Sequence, residues 1–198
     1  VEKMYNIAFS QDKSIRINKL VSETIAPHLF VFCNYNPDSL NVFSNDAKFI
    51  LSVMNMYKLL VDASVSTMLF QIAKDNHLIA DFHVIRNVNN TIDMLRTVLG
   101  HNLDENNGND DEKKQTEKWF RSVIKKDSPV TDEDYKIALD EIEKYGDILY
   151  DLLEDIINKI AKSDRKKCII ESWEQAIIQF YKRPNSINII EGQLYLAY

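Results

Sequence analysis

Residues 131–162 read TDEDYKIALDEIEKYGDILYDLLEDIINKIAK, and this stretch decides the fold class. Its apolar side chains recur at steps of three and four residues, which places them along one face of an α-helix. Thr131 follows Pro129 and precedes a run of acids, so it stands where the N-cap of that helix is expected. The apolar seam consists of Ala138, Ile142, Tyr145, Leu149, Leu152, Ile156 and Ile160. We therefore predict a helix to about Lys162 whose seam packs in an antiparallel bundle, in a coiled pair or in a dimer.

The composition of the whole chain agrees with a helical bundle. Of its 198 residues, 45% are apolar and 27% are charged, and it contains only four glycines and four prolines. A chain of this length buries a full core, and few helix breakers mean few turns. We predict one all-α domain over residues 1–198. The formal net charge of −6 argues against general electrostatic adhesion to nucleic acid, so an RNA site would be a local patch.

Five other segments repeat the helical period, and one apolar segment does not. The predicted helices are a short one opened by Ser10-Gln11-Asp12 and ended by Pro27, a long core helix over about 46–75 capped by Ser44 or Asn45, a helix over about 79–99, a shorter helix containing Trp119 and Phe120, and one from Cys168 to Tyr181. The continuously apolar Leu29–Cys33 predicts a buried extended piece before a turn. The apolar tail Ile187–Tyr198 is expected to dock on the body or on a second subunit.

The cysteines and the longest apolar runs indicate in which compartment the chain is expected. Cys33 and Cys168 lie far apart and have no metal-ligand spacing. No apolar run approaches the about 18 residues that a membrane span needs, and no secretory leader pattern is present. We expect a cytoplasmic chain in a reducing compartment, without a metal, a cofactor or a membrane partner.

The residues with the most chemistry lie in Ile92–Asn102, which reads IDMLRTVLGHN. Apolar residues at 92, 95, 98 and 99 predict a half-buried helix, and Gly100 is expected to close it in the left-handed conformation. If the chain folds back there, the imidazole of His101 approaches the guanidinium of Arg96, with the amide of Asn102 close by. A permanent cation, an imidazole that titrates near neutrality and an amide suit a phosphodiester.

The same residues also fit a purely structural role. An arginine near a helix C-terminus is favoured by the helix dipole and by the free carbonyls there. A histidine after a glycine cap is an ordinary surface residue. The spacing alone therefore leaves catalysis and structure both open.

The string Leu95–Asn102 resembles the signature of the HEPN superfamily, all-helical domains marked by an arginine and, a few residues later, a histidine. The resemblance implies a metal-independent endoribonuclease that dimerises, so that two motifs meet in one cleft, and it assigns the catalytic positions to Arg96, His101 and Asn102. It also suggests a toxin or phage-defence effector with an antitoxin or regulatory partner. The position after the arginine, often Asn, Asp or His in the family, is Thr97 here.

One HEPN branch carries a tyrosine two positions after the histidine, which a partner nucleotidyltransferase modifies. This chain has Leu103 at that position, so pairing with such an antitoxin does not carry over.

Basic side chains on two of the predicted helices are candidates for contacts with the RNA backbone. Lys118, Arg121 and Lys125 face outward from the helix that contains Trp119, and Arg86 precedes the motif on its own helix. A solvated helix face explains each of them equally well. The competing functional hypothesis is a catalytically inactive HEPN-like helical module that binds a protein or nucleotide partner.

Overall fold

The structure, a computed structural model, describes residues 7–32, 44–61, 64–80, 82–100 and 110–181. The described residues form seven α-helices and one π-helical turn, and they contain no strand. The elements are α1 (Ile7–Thr24), α2 (Asn45–Met56), the π turn (Tyr57–Val61), α3 (Ser64–Asp75), α4 (Phe82–Gly100), α5 (Asp110–Ile124), α6 (Asp132–Lys162) and α7 (Lys166–Tyr181). This confirms the predicted all-α fold class.

Helix α6 begins where the sequence predicts. Thr131 is its N-cap, with the Thr131 side chain accepting from the backbone N–H of Asp134 and the Asp134 side chain accepting from the backbone N–H of Thr131. The Asp134 carboxylate also accepts from Val130 N–H at 3.1 Å and from Lys126 Nζ at 2.7 Å. Three donors thus meet at the Asp134 carboxylate, at the start of a 31-residue helix.

The buried face of α6 is wider than the predicted seam. Ala138, Ile142, Leu149, Ile156 and Ile160 are buried as expected. Tyr145 and Leu152 are only half-buried and pack at the edge of the core. The additional buried residues are Gly146, Tyr150, Leu153 and Ile157. The face is wider because α1, α2, α3, α5 and α7 all pack against this one helix.

Helix α2 lies very close to α6 at Gly146. A Cβ placed on Gly146 would stand 2.7 Å from the Cε of Met56, closer than real carbon atoms approach. Met56 is itself buried. The missing side chain of Gly146 therefore lets the two helices meet at this point.

Polar contacts join α1 to α6 along their shared side. The hydroxyls of Ser14 and Tyr150 lie 2.9 Å apart in a buried hydrogen bond. Lys13 forms an ion pair with Asp147, which is in the turn of α6 before Tyr150. Burial raises the pKa of Tyr150 to about 12, so its hydroxyl stays protonated at neutral pH.

The predicted helix over 46–75 is broken into two, which corrects the sequence expectation. Its first half widens into the π turn and α3 then continues in a direction that differs by 56°. The buried Ser66 hydroxyl donates to the carbonyls of Leu59 at 3.2 Å and Leu60 at 3.4 Å. Because this hydroxyl bonds backbone carbonyls at the bend, Ser64, Ser66 and Thr67, the polar residues that interrupt the apolar run in the sequence, mark the break.

The start of α1 also differs from the prediction. The helix begins at Ile7, so Ser10-Gln11-Asp12 lies inside it and does not cap it. Ile15 is 58% exposed, since the face toward the core carries Ile17 and Val21 instead.

The apolar segment after α1 is buried and non-helical, as predicted, although Val31 and Phe32 form a bend rather than a strand. The side-chain Oδ1 of Asn18 accepts from both of their backbone N–H groups, at 2.9 and 3.0 Å. Asn18 Nδ2 in turn donates to the Phe32 carbonyl at 2.6 Å. One side chain of α1 thus replaces the partners that a neighbouring strand would supply.

The two helices predicted around Trp119 and from Cys168 to Tyr181 are confirmed as α5 and α7. Trp119 and Phe120 on α5 and Ile169 and Trp173 on α7 are buried. Cys33, the segment after Tyr181 and the tail Ile187–Tyr198 lie outside the described residues. Within the described ranges, no single helix has the length and apolar character to cross a bilayer. One bent pair, α2 with the π turn followed by α3, has the required length and composition when its two parts are taken together.

Replacing Gly146 with leucine is expected to destabilise the fold by about 1–3 kcal/mol, because the added side chain pushes α2 from α6. The matched control is Gly146→Ala, in which the terminal methyl of Met56 has only to rotate and alanine favours the helix by about 1 kcal/mol. Urea unfolding followed by circular dichroism measures both. Equal stability of Gly146→Leu and the wild type would contradict close packing at this point.

Replacing Asp134 with asparagine is expected to lower the melting temperature at neutral pH. The Lys126 ammonium, followed by the N–H groups of Val130 and Thr131, holds the pKa of Asp134 well below its usual range. A carboxyl group whose pKa is lowered by folding stabilises the protein above its unfolded pKa of about 4, and this contribution fades as pH falls toward the folded value.

The difference in melting temperature between wild type and Asp134→Asn should therefore be larger at about pH 7 than at about pH 2.5. Glu133→Gln is the control, because the Glu133 side chain is exposed in the same helical turn. A difference for Asp134→Asn that stays constant across this range would refute the electrostatic account.

Candidate functional site

Helix α4 carries the arginine of the candidate motif. Ile92 and Leu95 are fully buried, whereas Asp93 is exposed on the opposite side. Arg96 lies between these two faces and is half-buried, one turn before the helix ends at Gly100. The predicted periodicity is therefore confirmed, and it leaves Arg96 at the boundary between core and solvent.

Gly100 differs from its predicted conformation. It is the last residue of α4, and its φ is not in the left-handed region. A Cβ on Gly100 would stand 3.1 Å from Met54 Cε on α2, which is a tight contact. Gly100 thus allows close packing of α4 against α2, a role that does not require the left-handed conformation.

The guanidinium of Arg96 lies over an aromatic ring. Its central carbon is 4.8 Å from the ring centroid of Tyr57, the first residue of the π turn. Both side chains are half-buried. Within the described residues Arg96 forms no ion pair with a carboxylate. A cation over a ring face is attracted by the ring quadrupole and keeps its charge.

The other two predicted catalytic residues, His101 and Asn102, lie outside the described residues. Of the three predicted catalytic residues, Arg96 is therefore the one that the structure describes. The convergence of His101 on Arg96 stays a prediction from the sequence.

The four candidate RNA contacts lie on two helices that pack together, Arg86 on α4 and the other three on or next to α5. All four side chains are exposed. Lys125 follows the end of α5 with a φ of 62°, and its Nζ donates to the carbonyl of Ser122 at 2.9 Å. The structure thus confirms that these cations face outward, and RNA contact stays a prediction.

Carboxylates offset part of the positive charge on α5. Arg121 Nε donates to Asp127, and its Nη2 lies 3.9 Å from Glu117 Oε2. The hydrogen bond and charge of Asp127 raise the pKa of Arg121, and the same bond lowers the pKa of Asp127. Lys126 is likewise paired with Asp134. Among the candidate contacts, Arg86, Lys118 and Lys125 form no ion pair with a described residue.

Sequence reasoning missed two features of this region. The spacing of Glu117 and Arg121 is the i, i+4 spacing of helical ion pairs, so this partner was readable. Tyr57 gave no signal, because it reads as one more apolar residue of a core helix and its contact with Arg96 spans 39 positions of the chain.

No group of three or more His, Cys, Asp and Glu side chains that could hold a metal occurs in the part of the chain described here. Comparisons with protein-family models, with curated proteins and with solved structures gave no match.

If α5 contacts RNA, alanine substitution of Lys118 or Lys125 should weaken binding more than Arg121→Ala, because Asp127 and Glu117 already offset the arginine. Each lysine removed should reduce the slope of log affinity against log salt by about 0.7. Fluorescence anisotropy with a short single-stranded RNA measures this, in a His101→Ala background that keeps the RNA intact. Arg165→Ala, in the exposed turn before α7, is the control. A dominant loss in Arg121→Ala would contradict the charge assignment.

Proposed function

We propose that this protein is an endoribonuclease whose site is built around Arg96, His101 and Asn102 and is completed by a second copy of the chain. The proposal combines the HEPN-like motif with one structural observation. That observation is a half-buried guanidinium, held by an aromatic ring, whose charge no described carboxylate neutralises. A dianionic phosphoryl transition state needs such a cation.

The proposed reaction is a transesterification of RNA. The 2′-hydroxyl oxygen attacks the adjacent phosphorus while its proton passes to a neutral imidazole, His101 of one copy. The bond to the 5′-oxygen breaks, and a protonated imidazole, His101 of the second copy, donates a proton to that oxygen. The products are a 2′,3′-cyclic phosphate and a 5′-hydroxyl, with no net change in protons. Arg96 stabilises the charge on the nonbridging oxygens.

The need for two proton transfers is the physical reason to expect a dimer. The motif has one imidazole per chain, and each event uses one base and one acid. A two-fold arrangement brings two equal motifs together in one cleft. Asn102 is proposed to donate to the phosphate from the same turn.

The test is cleavage of a mixed RNA pool in EDTA by wild type, Arg96→Ala and His101→Ala, with analysis of the product ends. We expect cyclic phosphate ends and a loss of about 100-fold or more in both variants. Arg165→Ala should cleave like wild type. Cleavage that survives in both motif variants, or no cleavage by a folded dimeric wild type, would overturn the proposal.

Two observations on charge favour the second candidate, a catalytically inactive helical module that binds a protein or nucleotide partner. The chain has a formal net charge of −6, and two cations of the α5 region are already paired with carboxylates. Sedimentation equilibrium, which measures the oligomeric state, separates the two candidates when it is combined with the cleavage assay. A monomer that does not cleave RNA supports the inactive module, whereas a dimer that cleaves supports the nuclease.

A further inference from the structure

The contact between Arg96 and Tyr57 has a property that an ion pair would lack. A ring face attracts the flat side of the guanidinium and occupies none of its N–H donors. A carboxylate in the same place would take two of those donors and cancel the charge. The tyrosine therefore fixes the arginine while leaving its edge available to an anion.

Two contacts set the register of the helices that make this pair. Met54 on α2 lies against Gly100, and Tyr57 lies against Arg96. Tyr57 comes about one turn after Met54, whereas its partner Arg96 comes about one turn before Gly100. The segment that carries Met54 and Tyr57 therefore runs antiparallel to α4 at this point. The close approach at Gly100 thereby brings the Tyr57 ring within reach of Arg96.

The backbone of the π turn also fixes Tyr57. The turn begins at this residue, and the Tyr57 N–H bonds the carbonyls of both Val53 and Met54. Leu59 and Leu60 in the same turn are buried. The ring is thus attached to an anchored stretch of backbone, whereas an exposed arginine on a helix samples many rotamers.

We propose that Tyr57 is a positioning residue that orders the guanidinium of Arg96 for an RNA phosphodiester. The catalytic half of this inference rests on the proposed nuclease function, and the ordering of Arg96 does not. The expected behaviour is specific for a ring: Tyr57→Phe retains the contact, and Tyr57→Leu fills similar space without a ring quadrupole.

The closing experiment has two independent readouts on wild type, Tyr57→Phe and Tyr57→Leu. The first is ¹⁵N relaxation of the Arg96 Nε–Hε group, which we expect to be rigid in wild type and Tyr57→Phe and to fall to an order parameter below about 0.6 in Tyr57→Leu. The second is RNA cleavage, for which we expect kcat to fall about 10-fold or more in Tyr57→Leu and to stay within about 3-fold in Tyr57→Phe. Ile50→Leu is the control, because Ile50 is a half-buried residue of α2 that takes part in neither the Met54–Gly100 contact nor the Tyr57–Arg96 contact.

The outcomes separate the two claims. Equal Arg96 order parameters in all three proteins overturn the positioning role, whether or not RNA is cleaved. If the Tyr57→Leu protein has a disordered Arg96 and still cleaves with the wild-type kcat, ordering of Arg96 by Tyr57 does not contribute to catalysis. A wild type that does not cleave while Arg96 is disordered only in Tyr57→Leu refutes the nuclease and supports the positioning of Arg96.

Discussion

Burial along α6 is the constraint on which the rest of the structure depends. This helix has 31 residues, ten of them buried, and five other helices pack on it. It packs most extensively against α2, which comes close to it at Gly146 because that residue has no side chain. Burial of apolar area provides the driving force, and small residues decide how closely the elements approach. The position of α2 is thus determined by α6.

The motif helix α4 is held in a less direct way. Its main packing partners are α2, the π turn and α5, and two of these lie on α6. The position of Arg96 therefore depends on the placement of α2 and on the π turn that follows it. A guanidinium at the edge of the core is in this way connected to the centre of the bundle through two layers of packing.

Much of the fold could be read from the sequence because helices leave local signals. The N-cap and acids of α6, its three-and-four spacing and the inward face of α5 are properties of neighbouring residues. The break between α2 and α3 was not predicted, because the helical period of the apolar residues continues on both sides of the polar residues that mark it. At the break the buried Ser66 hydroxyl bonds carbonyls six and seven positions earlier, a contact that the apolar period does not predict.

The candidate site was predictable to a smaller extent. The sequence singled out Arg96 through its motif and through its place beside buried Ile92 and Leu95. It contained no sign of Tyr57, because a pair 39 residues apart leaves no local pattern. Nor did it reveal that Asp127 and Asp134 would bind basic residues of the α5 region, since those contacts depend on how the chain turns after Ile124.

The π turn also makes the length of this segment a constraint in its own right. A π turn holds one residue more than an α-helical turn, so it is what an inserted residue leaves inside a helix. The wide turn absorbs that extra residue, whereas a change in residue number that no such turn absorbed would rotate everything on one side by about 100° relative to the other. Tyr57 and the buried residues of α3 would then no longer face their present partners together. In evolution this segment should accept exchanges of residue type more readily than any change in residue number.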